Sequence, residues 1–176
     1  PNVNQCKECH AAEDKITPIG PKARNLNKKF VFNEGEFNQL TYWMNRQIID
    51  DYPLELVSPV DWTDDSQNIN DRVRSYLDVN CGHCHSPTGN ANSTGLYLHL
   101  DETRDIHLGL YKKPVATGRG SGGLKYSIVP GKPDESILLH RMISLDPGVM
   151  MPESGRALSH TEAVDMVREW ILVMED

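Results

Sequence analysis

Two copies of the motif Cys-x-x-Cys-His contain all four cysteines of the 176-residue chain. The first copy lies in QCKECH and the second in NCGHCHSPTGN. The six residues are Cys6, Cys9, His10, Cys81, Cys84 and His85. Thiolates and imidazoles can bind a zinc ion, a pair of thiols can cycle to a disulfide, and this order of residues can hold a haem covalently.

The contiguous order of the three residues favours covalent haem attachment. In a c-type site both thiols add to porphyrin vinyl groups, and the imidazole that follows becomes the proximal ligand of the iron. A histidine directly after both cysteine pairs is improbable by chance in a chain with only seven histidines. The sequence therefore predicts two covalently attached c-type haems, with His10 and His85 as iron ligands.

A zinc site built from the two cysteine pairs is the main alternative. The pairs of a zinc ribbon usually lie about 15 to 20 residues apart, whereas 71 residues lie between Cys9 and Cys81. A thioredoxin-like dithiol fits less well, because neither motif follows an apolar strand in a βαβ pattern. Structural disulfides would explain the cysteines but not the two histidines.

A haem that only transfers electrons usually has a second axial ligand, commonly Met or His. For the second motif the stretch GVMMPESG offers Met151, which directly precedes Pro152, with Met150 as the neighbouring alternative. Small cytochromes c place their thioether ligand in such a loop, ahead of a terminal helix. A methionine can also fill a core, but this position favours the ligand role for Met151.

The second ligand of the first haem is less defined. Met44 lies 34 residues after His10, but it also belongs to an apolar helical stripe, for which core packing is the usual explanation. Histidines that could reach across from the second part of the chain are His99, His107, His140 and His160. An open site is the third alternative, and a five-coordinate haem there would bind a small molecule or peroxide.

Two kinds of residue could line the haem outside the iron ligands. Loop residues able to form charge-assisted hydrogen bonds with propionates are Arg119, Lys125, Tyr126 and Arg156. Each of them is also explained as a solvated loop residue. Trp170 is expected to lie either against the porphyrin or against the helix before Cys81.

Two amphipathic helices are predicted, one directly before Cys81 and one after Arg156. DSQNINDRVRSYLDVN begins with an Asp or Ser cap, runs directly into Cys81, and has an apolar face formed by Ile69, Val73, Tyr76 and Leu77. SHTEAVDMVREWILVMED offers a capping box in Ser159 and Glu162. Its apolar stripe is Ala163, Val167, Trp170, Ile171 and Met174.

The other segments are less regular. A helix is predicted within EGEFNQLTYWMNRQIID from the spacing of Phe37, Leu40, Met44 and Ile48, and a linker follows near residues 51–64. Between the two amphipathic helices we expect a glycine-rich loop, TGRGSGG, strand-like pieces GLYLHL and LKYSIVP, and a short helix DESILLHRM capped by Asp134.

Composition excludes some classes of partner. The formal net charge of −7 makes nucleic acid an unsuitable partner and favours proteins with a basic docking surface. No apolar run reaches the ~18 residues that span a bilayer, so no transmembrane segment is expected in this chain. The chain starts at Pro1 rather than Met, which indicates a processed protein or a piece of a larger one.

The segments that surround both motifs resemble a family of bacterial proteins. From about residue 66 onward the chain is similar to the cytochrome c domains of large planctomycete-type and related secreted proteins, through CGHCHSPTGNANSTGLYLHL, GRGSGGLKYSIVPGKPDESILLHRM, DPGVMMPESGR and LSHTEAVDMVREWI. The upstream segments QCKECH, GPKARNLN and NQLTYW resemble those of a related family that carries a second such motif. Relatives of this kind are often joined to, or encoded beside, dehydrogenase-like domains.

The resemblance implies a mostly α protein with a cytochrome c-like fold, carrying a loop and short-strand insertion and preceded by a smaller haem-binding helical segment. Residues 1–60 would form this segment and residues 65–176 the cytochrome c domain. Only five residues precede Cys6, so either the first haem packs against the second unit or a preceding segment is missing.

The expected function is one-electron transfer between a donor and an acceptor protein, in the periplasm or another extracytoplasmic compartment. An alternative is a di-haem peroxidase-like enzyme in which the first haem keeps an open site. A zinc-binding structural module is the other alternative.

Overall fold

The computed structural model describes residues 2–12, 15–16 and 19–175. Helices account for most of the regular structure, as the sequence predicts. The N-terminal elements are α1 (Val3–His10), β1 (Ala11–Ala12), β2 (Lys15–Ile16), α2 (Ala23–Leu26), β3 (Lys29–Phe32), β4 (Gly35–Asn38) and α3 (Gln39–Asn45). Strand β1 pairs antiparallel with β2, and β3 pairs antiparallel with β4.

The second part of the chain follows an irregular segment between α3 and the next helix. Its helices are α4 (Ile69–Asn80), α5 (Asp105–Leu108), α6 (Ile137–Ile143) and α7 (Thr161–Leu172). Short 3-10 turns occupy Asn92–Thr94, Gly118–Ser121 and Pro133–Glu135. In the described part of the chain, no helix combines the length and apolar character that crossing a bilayer requires.

The core lies where α4 packs against α7. From α4 the predicted face is buried at Val73, Tyr76 and Leu77. From α7 the predicted stripe is buried at Ala163, Val167, Trp170 and Ile171. The indole Nε1 of Trp170 donates a hydrogen bond to Asn70 Oδ1 across this interface, at 3.1 Å. Burial of both apolar stripes stabilises the helix pair that carries Cys81 at its end.

Helix α3 is shorter than the sequence predicts. Phe37 belongs to strand β4, and Ile48 lies beyond the end of the helix. The side chain of Asn38 caps α3 by accepting hydrogen bonds from the amides of Leu40 and Thr41, both at 3.1 Å. The aromatic and β-branched residues that precede this cap pair as a hairpin instead.

The predicted helix caps in the second part are wrong. The Ser159 hydroxyl donates to the Met142 carbonyl at 3.1 Å, and α7 begins at Thr161 without a side-chain cap. Asp134 pairs with Arg168 at 2.7 Å, and α6 begins only at Ile137. In both cases a contact between distant segments takes the side chain that local capping would use.

The two strand-like pieces of the second part do not form a sheet. Only the second piece, LKYSIVP, takes part in isolated parallel bridges among the described residues, through Ile128 with Leu110 and Tyr126 with Ser136. The apolar residues of these pieces are instead used as core, because Leu98 and Ile128 are almost completely buried. The apolar residues of these two pieces therefore indicate burial in the core, and they do not indicate strand pairing.

Glu102 gives the fold a dependence on pH. Its side chain is only 3% exposed and accepts hydrogen bonds from Arg104 Nε at 2.8 Å and from the amides of Thr103 and Arg104. These bonds, with Arg104 as the main cause, hold the pKa of Glu102 well below its ordinary value of 4.5. The lowered pKa means that this carboxylate stabilises the fold above about pH 4.5, and the contribution is lost as the pH falls below that value.

A Glu102→Gln variant is therefore expected to be less stable at neutral pH and to lose less stability on acidification than the wild type. Urea unfolding followed by circular dichroism from about pH 7 to about pH 3 measures this slope. Glu135→Gln is the matched control, because Glu135 is exposed and pairs only with Lys132. Parallel pH profiles for wild type and Glu102→Gln would contradict the prediction.

Candidate cofactor and metal centre

The second motif forms a tight turn at the end of α4. The amides of Cys81 and Gly82 donate to the Leu77 carbonyl at 2.8 and 2.9 Å, and the amides of Cys84 and His85 donate to the Cys81 carbonyl at 3.1 and 2.9 Å. The turn therefore holds both thiols and the His85 imidazole in one compact unit. This is the local arrangement that attachment of one haem to these residues requires.

Two glycines make this turn possible by close backbone approach. A Cβ atom on Gly82 would lie 2.8 Å from the Asp78 carbonyl, and one on Gly89 would lie 2.2 Å from the Cys84 carbonyl. The loop closes further where the Ala91 amide donates to the same Cys84 carbonyl at 3.1 Å. Any side chain at Gly89 would therefore displace the backbone of Cys84.

The His85 ring is suited to metal binding. Its Nδ1 atom is buried and makes no hydrogen bond of normal geometry with the described residues. Burial lowers the pKa of His85, so the imidazole is neutral at neutral pH and has a lone pair available. The Leu98 amide donates to the His85 carbonyl at 2.8 Å and fixes the backbone.

The thiols of the second motif are not those of a redox dithiol. Burial raises the pKa of Cys81 to about 12. Burial and, secondly, the neighbouring Cys9 thiol raise the pKa of Cys84 to about 11. Catalytic dithiols have a lowered pKa, because the thiolate is the reactive form. Both thiols are thus protonated at neutral pH, which disfavours the thioredoxin-like alternative. In the structure none of the four cysteines forms a disulfide.

The two motifs meet in space. Cys9 Sγ, Cys84 Sγ and a ring nitrogen of His83 all lie within 4.8 Å of one another. Asn90, in the loop after the second motif, donates a hydrogen bond to the Lys7 carbonyl of α1 at 2.5 Å. The first motif therefore lies against the second unit.

A buried carboxylate joins the two parts of the chain beside the second motif. Asp78, on the last turn of α4, is completely buried and forms ion pairs with Arg24 and with Lys22, the latter at 3.3 Å. A second hydrogen bond joins Arg24 Nε to Asp78 Oδ2 at 3.2 Å. Asp78 Oδ1 also accepts a hydrogen bond from the Leu100 amide at 3.0 Å. We call this group the Asp78 clamp, formed by Lys22, Arg24 and Asp78.

Met151 lies in the loop before α7 and is half-buried, while Met150 is only 7% exposed. The Met151 amide donates to the Arg141 carbonyl at 3.0 Å, which ties this loop to α6. The charges of Arg141 and Glu153 act on the pKa of His85. The loop with Met151 is thus within electrostatic range of the His85 ring.

The residues proposed to contact propionates have protein partners. Arg119 pairs with Asp146 at 2.7 Å, on the loop that leads to Met150. Arg156 donates to carbonyls of the same region, those of Arg141, Met142 and Ser144. Both arginines therefore hold the loop that carries the predicted methionine ligand.

The candidates for the second axial ligand of the first haem lie in different parts of the structure. Met44 is 37% exposed on α3, which packs mainly against β4 and α2. His107 contacts Glu102 Oε2 at 3.1 Å, and His160 contacts the Tyr76 hydroxyl at 3.0 Å. His99 has a buried Nδ1 without a hydrogen-bond partner among the described residues.

Sequence reasoning missed two residues of the centre. His83 occupies a variable position inside the second motif, and its ring nitrogen is the third member of the group with Cys9 and Cys84. Asp78 is a fully buried acid on α4, and a buried acid indicates a partner. That acidic residue is the one signal in the sequence that could have located the clamp.

The centre can hold a haem at each motif, or a soft metal ion between the motifs. Zinc and similar ions bind thiolate and imidazole ligands, and Cys9, His83 and Cys84 supply that donor set. Covalent haem uses both cysteines of a motif and the following histidine, and the turn from Cys81 to His85 supplies these together. Comparisons of the chain with family models, with curated protein sequences and with solved structures found no match.

Proposed function

We propose that the protein is a di-haem c-type cytochrome that passes single electrons between a donor and an acceptor protein. The observation that carries the proposal is the compact turn of Cys81, Cys84 and His85 at the end of α4, against which α7 packs. A helix that leads into the motif, a later helix packed on that helix and a Met-Pro loop between them in sequence are the parts that the proposed cytochrome c-like fold would use.

The residues of the second site fit a haem. Cys81 and Cys84 have protonated thiols, as described above, and are not engaged in disulfides. His85 offers a neutral ring whose buried Nδ1 atom makes no hydrogen bond of normal geometry with the described residues. The first site has Cys6, Cys9 and His10 on and at the end of α1, so that its thiols also lie one helical turn apart.

The bound haem would supply the one-electron chemistry, because its iron cycles between the ferrous and ferric states. The chain's own residues would determine where this happens and at what potential. Cys81 and Cys84 would anchor the macrocycle, and His85 would donate its lone pair to the iron. Met151 would complete the coordination from the loop that Arg119 and Arg156 hold in place.

The surface suits transient encounters with redox proteins. The net charge of −7 favours a partner with a basic face. Electron-transfer interfaces are usually small and short-lived. Covalent haem attachment would place the protein in an extracytoplasmic compartment, where we propose that it works, alone or as part of a larger polypeptide.

Intact mass spectrometry combined with a pyridine haemochrome assay tests the proposal. The protein is purified after expression with a haem-attachment system, and the wild type should carry the mass of two haems with two c-type haems per chain by absorbance. A chain with no covalent haem would overturn the proposal.

The second candidate function is that of a soft-metal module, because Cys9, His83 and Cys84 lie together. This group uses one cysteine of each pair, unlike a zinc ribbon that uses both cysteines of each. Metal analysis of the same preparation separates the two candidates. One zinc ion per chain and no haem would establish the module, whereas two haems would leave neither Cys9 nor Cys84 as a thiolate.

Replacing Met151 with leucine is expected to convert the second haem from low spin to high spin. Leucine preserves the volume but removes the sulfur ligand, so one axial position of the iron is lost. Electron paramagnetic resonance and the visible spectrum of the oxidised protein measure the change. Met150→Leu is the matched control and should leave the second haem low spin. A spectral change in Met150→Leu alone would assign the ligand to Met150 instead.

A further inference from the structure

The ring of His83 lies between the two motifs. Its nitrogen, Cys9 Sγ and Cys84 Sγ are within 4.8 Å of one another, so the side chain is directed toward the first motif although it belongs to the second. The tight backbone at Gly82, where a Cβ would lie 2.8 Å from the Asp78 carbonyl, restricts the position of the residue that follows it. The placement of His83 is therefore built into the turn.

The Nδ1 atom of His83 is buried and makes no hydrogen bond of normal geometry with the described residues, although the Val79 backbone is close enough to act on the pKa of the ring. Buried polar atoms in folded proteins are nearly always satisfied, and an exception calls for an explanation such as a bound group. The other histidines with this property in the described chain are His85, which has a role at the second haem, and His99. His83 is the one of the three that lies beside cysteines of both motifs.

We infer that His83 is the second axial ligand of the haem bound by Cys6, Cys9 and His10. This inference rests on the proposed di-haem function. The haem of its own motif is a less suitable target, because His83 and His85 belong to one turn, and that turn approaches a macrocycle from one face only. The first motif lies close by through Cys9, and His10 is near enough to interact electrostatically with His83.

With His83 as a ligand, both axial positions of the first haem's iron would be occupied. Met44, the alternative from the same segment, lies on α3 with a 37% exposed side chain and packs mainly against β4 and α2. A six-coordinate first haem would leave no position for peroxide, so the protein would act as a carrier and not as a peroxidase. Two histidines at the first haem and a His/Met pair at the second would give the second the higher potential. Electrons would then collect at the second haem.

The test compares His83→Ala with His99→Ala in the holoprotein. His99 is the matched control because its Nδ1 is also buried without a partner, while it is outside the group with Cys9 and Cys84. The readouts are intact mass, electron paramagnetic resonance and a spectroelectrochemical titration. In His83→Ala we expect two covalent haems, one of them high spin, and added imidazole should restore the low-spin signal. His99→Ala should retain two low-spin haems.

A second variant keeps the inference testable if His83→Ala does not acquire both haems. His83→Met keeps a ligand at the same position, and we expect it to hold both haems low spin with the potential of one of them raised. Two low-spin haems in His83→Ala, or a high-spin haem in the wild type, would overturn the inference while leaving the di-haem function intact. A high-spin haem in His99→Ala alone would assign the ligand to His99. Absence of haem from the wild type would overturn the proposed function itself.

Discussion

Replacing Cys81 and Cys84 together with alanine is expected to reduce the covalent haem content from two per chain to one. Under the di-haem proposal both thioether bonds of the second haem would come from these residues, and His85 alone would hold the cofactor only by coordination. Intact mass measured after acid–acetone extraction, which removes haem that is not covalently bound, gives the count directly. The visible absorbance per chain should fall by about half, because each c-type haem contributes a similar spectrum.

The reciprocal pair Cys6→Ala with Cys9→Ala is the matched variant and should also leave one haem.

Single substitutions distinguish haem from a zinc module more sharply. In a zinc module Cys84→Ala and His83→Ala would each abolish metal binding, and Cys81→Ala would not, since Cys81 is outside the group of three ligands. If the wild type carries a zinc ion and no haem, and His83→Ala and Cys84→Ala each lose that ion while Cys81→Ala keeps it, the di-haem proposal is wrong.

Replacing Asp78 with alanine is expected to destabilise the protein by about 3–5 kcal/mol, the usual cost of removing one partner from a buried ion pair. The substitution leaves Arg24, whose side chain is 18% exposed, without its main partner. It also removes the acceptor of the Leu100 amide. Because Lys22 and Arg24 come from the N-terminal part, we also expect the first motif to separate from the second.

Urea denaturation measures the loss of stability, and limited proteolysis near residues 20–30 measures the release of the N-terminal part. Asp71→Ala is the control, since Asp71 is an exposed acid in the first turn of the same helix. It should cost less than about 1 kcal/mol through the helix dipole alone. Equal losses for the two variants would mean that the Asp78 clamp does not hold the two parts together.

Release of the clamp has a functional consequence under the di-haem proposal. The contact between Cys9 and Cys84 would bring the two haems close to each other, and the clamp maintains that contact from the end of α4. Asp78→Ala should therefore slow electron exchange between the haems while leaving both covalently attached. Rapid-mixing reduction kinetics with the holoprotein would show a second, slower phase.

Helices α4 and α7 could be predicted from the sequence because their apolar residues recur with the helical period over 12 residues each. Periodicity is a local property, and burial of the stripes at Val73 and Val167 follows from it. The caps could not be predicted in the same way. Ser159 is engaged by the Met142 carbonyl, 17 residues earlier in the chain, and such a partner is invisible to a window of a few residues.

The hairpin of β3 and β4 could not be predicted from the local periodicity either. Phe37 and Met44 share a helical spacing, and the sequence predicts one helix through both. The cross-strand pairing of Phe37 with Phe30 and the Asn38 cap instead divide the segment into a strand and a short helix. Periodicity alone cannot choose between these outcomes when the apolar residues are few and aromatic.

The sequence by itself predicts which thiols and which imidazole act together at each motif, because the three residues are contiguous. Only the tertiary structure decided that Cys9 meets Cys84 and that His83 lies between the motifs. It also decided that Asp78 pairs with Lys22 and Arg24, which are 56 and 54 residues away in the chain. Contacts across such separations depend on the path of the whole backbone and on the burial of one charge against another. The local pattern therefore predicts the two proposed attachment sites, and the packing of the two parts of the chain determines how the motifs lie relative to each other.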